Sequence, residues 1–125
     1  MFGFGKKKAN TNIAEVEEVQ LSAEEIAEVK KEIEELNQSN QFQDEKFYER
    51  RGLLYERIKD EDAAIENFEK SLEIKPAVGE GYKKLMSLYN AKRSTSAKQG
   101  DGEGIDYYMN KMDELRQIAR KHSIG

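Results

Sequence analysis

Apolar residues in this chain recur at steps of three and four. Ile26, Val29, Ile33 and Leu36 form a narrow seam at spacings of three, four and three, the pattern of an amphipathic helix. "SAEE", Ser22 to Glu25, carries the signature of a capping box, in which the Ser and Glu side chains each satisfy a backbone N–H left free at a helix start. The pattern predicts a helix over residues 13–38, broken by the polar run "NQSNQFQ" at 37–43. Residues 44–58 are expected to be helical again, with Phe47, Tyr48, Leu54, Tyr55 and Ile58 on one stripe. "KDED" at 59–62 reads as a turn, with Asp60 or Asp62 available as a cap. A helix over 62–74 follows, burying Ala64, Ile65, Phe68 and Leu72.

Pro76, the chain's only proline, cannot continue that helix and suits the first turn of the next. Val78, Tyr82, Leu85 and Tyr89 give helical spacing over 77–92. "RSTSAKQGDGEG", residues 93–104, reads as a long loop. A last helix is predicted over 105–121, with Ile105, Tyr108, Met112, Leu115 and Ala119 on one face. Arg116, Arg120 and Lys121 fall in its final turns, where cations complement the helix dipole. No segment alternates with period two, so the fold class is all-α.

The helices also repeat. Tyr48 and Tyr82 are 34 residues apart, as are Tyr55 and Tyr89. Tyr48, Gly52, Tyr55, Ala64, Phe68 and Pro76 stand in the order aromatic, Gly, Tyr, Ala, Phe and Pro. That register resembles the tetratricopeptide repeat, with Arg51 in place of its usual Leu. Small residues such as Gly52 and Ala64 let two helices approach, and Tyr55 and Phe68 fill the remaining space. The second copy, with Tyr82, Leu85 and Tyr89, has Met86 in place of Gly. Its later half fits only if about six residues are inserted in the loop. Gly104 then takes the Ala place and Tyr108 the Phe place.

The resemblance implies antiparallel helix hairpins stacked as a short right-handed array, with repeats over 45–78 and 79–121. The helix at 13–38 would cap it, since a terminal repeat otherwise exposes its apolar face. Residues 1–12 are expected to form a disordered tail, and 13–125 a single domain. The resemblance also implies protein binding, because the first helix of each hairpin in such arrays lines a concave surface. By register, those positions are Lys46, Glu49, Arg50 and Leu53 in the first copy. In the second they are Glu80, Lys83, Ser87 and Asn90. Lys46, Arg50 and Lys83 would favour a partner with acidic groups. Glu49 and Leu53 occupy places where chaperone-tail clamps of this fold need other residues.

Composition narrows the function classes. Charged residues make up 37% and hydrophobic residues 37% of the chain, a polar balance suited to thin helical layers. There is no cysteine, which excludes disulfides and thiolate metal sites. No apolar run is long enough to span a membrane, and "MFGFGKKK" has its charge after its apolar part, the reverse of a signal peptide. The expectation is a cytoplasmic protein. Phe2, Phe4 and Lys6 to Lys8 offer at most weak contact with an anionic membrane surface. The net charge of −4 is unevenly placed. Residues 13–36 hold nine Glu, whereas residues 75–98 hold six Lys or Arg against Glu80 alone.

Candidate chemistry is sparse. His122 is the only histidine, with no second ligand of its kind for a metal. Glu34–Glu35 and Asp60 to Asp62 lie in solvated stretches that would not shift a pKa. "GDGEG", residues 100–104, is neither a phosphate loop nor a calcium loop and is expected to be a flexible linker. No cofactor motif is present, and no basic stretch interleaved with aromatics suggests nucleic acid. The sequence therefore points to a non-catalytic adaptor. The alternative is a self-associating scaffold, a homodimer using the seam of Ile26 to Leu36.

Overall fold

The computed structural model describes residues 20–122. The described residues form five helices: α1 (Ala23–Gln38), α2 (Glu45–Arg57), α3 (Glu61–Ile74), α4 (Glu80–Lys98) and α5 (Gly102–His122). There is no strand among the described residues. The helix expected over 13–38 starts at Ala23, because the Ser22–Glu25 capping box closes at that point. Ser22 Oγ accepts from Glu25 N at 3.1 Å, and Glu25 Oε1 accepts from Ser22 N at 2.8 Å. Leu21 and Ser22 precede the helix. The tail at 1–12 and the stretch 13–19 lie outside the described residues.

α2 and α3 form one antiparallel hairpin, and α4 and α5 a second. The two turns are built alike. Each first helix ends in a Schellman motif: Lys59 N bonds Glu56 O and Asp60 N bonds Tyr55 O in one turn. Gly100 N bonds Ala97 O and Asp101 N bonds Ser96 O in the other. The motif demands a left-handed residue, supplied by Lys59 at φ 64° and Gly100 at φ 72°. An Asp then caps the returning helix. Asp60 Oδ1 accepts from Ala63 N at 3.2 Å and Asp101 Oδ1 from Gly104 N at 3.0 Å.

The long loop expected at 93–104 does not exist. α4 continues through Lys98, and the turn occupies only Gln99 to Asp101. The inserted residues lengthen both helices instead, to 19 residues in α4 and 21 in α5, against 13 and 14 in the first hairpin. Six more residues extend a helix by about 9 Å, so the second hairpin projects beyond the first. Lys92 on the lengthened α4 reaches the start of α3, with Nζ 2.8 Å from Asp62 Oδ1. That hydrogen bond is the main reason its pKa is raised. The segment read as a linker is thus a capped tight turn. Gly104 lies against Ser96 and Asp101 near the hairpin tip, not in the core position expected for it. Met112 and Leu115 are the buried residues of α5. Pro76 and Val78 lie in the connection before α4, where Val78 is exposed.

Among the described residues the core has two parts. Ala64, Phe68, Leu72, Leu85, Leu88, Tyr89, Met112 and Leu115 join the two hairpins. Phe68 is fully buried and lies against Gly52, where a Cβ would come within 2.8 Å of its ring. Gly81 approaches Phe68 from α4. Val29, Ile33 and Leu36 of α1 pack on Phe47 and Leu54 of α2 in the second cluster. The apolar seam of α1 is therefore consumed within the chain.

Arg51 accounts for its departure from the repeat. Its guanidinium lies over the Phe47 and Tyr48 rings, 5.0 and 5.4 Å from their centroids. Nε donates to Asn67 Oδ1 of α3 at 2.8 Å, and Nη1 donates to Asn37 Oδ1 of α1 at 2.7 Å. Asn67 is buried and donates onward to Ala63 O. A Leu here could not tie α1 to the first hairpin.

Candidate interaction surface

α2 buries Phe47 and Leu54 toward α1, and Gly52 toward α3. The side left open carries Lys46, Arg50, Leu53 and Arg57, at spacings of four, three and four, which hold one helix face. Lys46, Arg50 and Arg57 are exposed, and Leu53 is half-buried. On α4 the corresponding face carries Glu80, Lys83, Ser87 and Asn90, all exposed. Two polar contacts link α2 to α4. Glu56 Oε1 lies 3.6 Å from Lys84 Nζ, and Glu49 Oε2 accepts from Gly81 N at 2.9 Å.

Glu49 has a structural task here. Gly79, at the N-cap of α4, has no side chain to satisfy the first turn. The carboxylate of Glu49 does this from the neighbouring helix and places negative charge at the positive end of the helix dipole. Periodicity alone could not reveal a cap delivered from 32 residues away. Arg50 is also partly engaged, with Nη2 3.2 Å from Glu32 Oε2 of α1. Lys46 and Lys83 form no ion pair among the described residues. Asn90 accepts from Arg93 Nε at 3.2 Å.

A depression of about 500 Å³ lies over Gly79, Glu80, Lys83, Lys84 and Ser87. Two more flank α2 where it meets α1. One, of about 410 Å³, is lined by Glu24, Glu25, Glu28, Val29, Glu32 and Arg57. The other, of about 180 Å³, includes Glu32, Glu35, Ser39 and Arg50. The open face thus continues from α4 across α2 to the edge of α1. Arg57, Lys84 and the α1 glutamates belong to it, and the sequence reading did not include them. Repeat register is silent about a helix outside the repeat, although the 3-4-3 spacing of Glu25, Glu28, Glu32 and Glu35 was there to be read.

The opposite side differs. Tyr48, Arg51, Tyr55, Glu66, Asn67 and Lys70 line a depression of about 540 Å³, already crossed by the Arg51 hydrogen bonds. Tyr89 Oη of α4 hydrogen-bonds Glu69 of α3, and Lys111 Nζ of α5 lies 3.8 Å from the same carboxylate. Burial foremost, then the Glu69 carboxylate, raises the Tyr89 pKa. Among the described residues no group of three or more His, Cys, Asp or Glu is placed to hold a metal. No described helix is long and apolar enough to cross a membrane.

The family model of the tetratricopeptide repeat matches residues 45–78. Residues 45–78 form a tetratricopeptide repeat. The match begins at the first residue of α2 and ends in the connection before α4, so it covers the first hairpin. Repeats of this kind are in general protein-interaction modules. No curated protein and no solved structure matches the chain.

Proposed function

We propose that this protein is a non-catalytic adaptor that holds a segment of another protein on the open face of α2 and α4. The observation that carries the reading is the row Lys46, Arg50, Leu53 and Arg57 on α2, set beside the depression at Lys83, Lys84 and Ser87 on α4. It sits on a tetratricopeptide hairpin, and first helices of such hairpins are the usual docking surface. Only two of them contribute, so the contact is small. An interface below about 1,200 Å² belongs to the transient class, and exposed charges make it salt-sensitive beyond about 10 Å at 0.1 M.

The test is capture of partners from a lysate of the source cells with the wild-type chain and with Lys46→Glu/Lys83→Glu. The adaptor reading expects specific proteins on the wild type that the double variant loses while keeping its helix content. Equal capture by both would overturn it. The scaffold reading through Ile26 to Leu36 is disfavoured, because Val29, Ile33 and Leu36 are buried on α2.

A further inference from the structure

The open face is electrically polar across its width. Its α1 edge carries Glu24, Glu28 and Glu35, all exposed, and Glu32, which is paired with Arg50. Lys30 and Lys31 share α1 with these glutamates but line neither depression along this edge. Across α2 and α4 basic groups predominate, although Glu80 is exposed beside Lys83 in the α4 depression and Arg57 of α2 lines the acidic one at α1. Lys46 and Lys83 form no ion pair among the described residues, and Lys84 is joined to Glu56. A purely acidic segment laid across this face would be drawn to α4 and Lys46 but repelled at α1. A purely basic one would meet the reverse.

We infer that the adaptor surface takes a bipolar segment crossing the three helices, with acidic residues over Lys83 and Lys46 and basic residues over Glu28 and Glu35. This rests on the reading of the α2–α4 face as the binding surface and adds the partner's charge order. The spacing follows from the fold. Packed helices lie about 8–10 Å apart, so α4 to α1 spans roughly 18 Å. An extended chain covers about 3.4 Å per residue, which separates the acidic and basic groups by about five or six residues. Arg50 and Glu32 already neutralise each other between the two edges, so the middle of the segment should be uncharged. The half-buried Leu53 would accept an apolar side chain there.

The test uses three labelled synthetic peptides of equal length, with binding read by fluorescence anisotropy at low ionic strength. One carries two Asp, a neutral stretch of five residues and two Arg. The second replaces the Arg with Asp. The third has the composition of the first with Asp and Arg alternating. The bipolar peptide should bind the wild-type chain at least about fivefold more tightly than the other two, the scale of a few exposed pairs. Glu28→Lys/Glu35→Lys should reverse the order, weakening the bipolar peptide and strengthening the all-acidic one. Equal binding of the bipolar and all-acidic peptides, an unchanged order in that variant, or no binding of the bipolar peptide overturns the inference. Lys46→Glu/Lys83→Glu separates the two levels. If it leaves both peptides unaffected, the surface itself is wrong. If it weakens both while the wild type does not discriminate between them, only the charge order is wrong.

Discussion

Replacing Gly52 with Ala sets two effects of known size against each other. Within a helix, Ala is favoured over Gly by about 1 kcal/mol, and Gly52 lies inside α2. On an open surface the substitution would therefore stabilise. Here the added Cβ would fall 2.8 Å from Cδ1 and Cε1 of Phe68. The ring is fully buried within the core shared by the two hairpins, so any shift must be taken up by packed neighbours. Overpacking of a filled core costs about 1–3 kcal/mol, so the net effect should be a loss of about 1 kcal/mol. Urea melts should show a lower midpoint with an unchanged slope. The melting temperature should fall by about 4–8 °C. Gly102→Ala is the control, because nothing lies within 4 Å of its added Cβ and it should be neutral or stabilising. In a Phe68→Leu background the cost of Gly52→Ala should shrink or change sign. A Gly52→Ala protein more stable than wild type would refute the claim that this glycine exists to seat Phe68.

Three other perturbations follow from the geometry. Lys59→Gly should stabilise by about 1 kcal/mol in denaturant melts, because Lys59 holds a left-handed φ of 64° that costs a side-chain residue about that much. Arg51→Leu, which restores the usual repeat residue, should destabilise by about 1–3 kcal/mol by leaving buried Asn67 without its donor; a neutral result would show that the Asn67 contact carries no stability. Tyr89 has a raised pKa in the fold, so its contribution is complete below its ordinary value of about 10 and is lost as pH rises beyond it. Melts between pH 8 and about 11 should fall less steeply for Tyr89→Phe than for wild type.

The first hairpin was legible in the sequence because each of its determinants is local or periodic. Gly52, Tyr55, Ala64 and Phe68 carry size constraints at fixed spacing, and Asp60 caps α3 at the turn where the sequence suggested a cap. The second hairpin was harder to read for a physical reason. "RSTSAKQGDGEG" looks like loop by propensity, yet packing keeps its first six residues helical, with Ser96 buried. Tertiary context overrides weak propensity in this way. The roles of Glu49 and Arg51 were hidden because each depends on a partner in another helix. Lys46 and Lys83 were named by register, and both are exposed. The acidic edge beside them was visible as composition but had no position until α1 was seen to dock on α2.

Partners that meet this protein on the α2–α4 face can be located there by site-specific photo-crosslinking in the source cells. A photoreactive side chain would replace Ser87, exposed on that face, or Glu66, exposed on α3 on the opposite side. Position 87 should yield a discrete crosslinked protein that disappears with Lys46→Glu/Lys83→Glu, and position 66 should yield none. Crosslinks to the same protein from position 66 but not from 87 would contradict docking on the α2–α4 face.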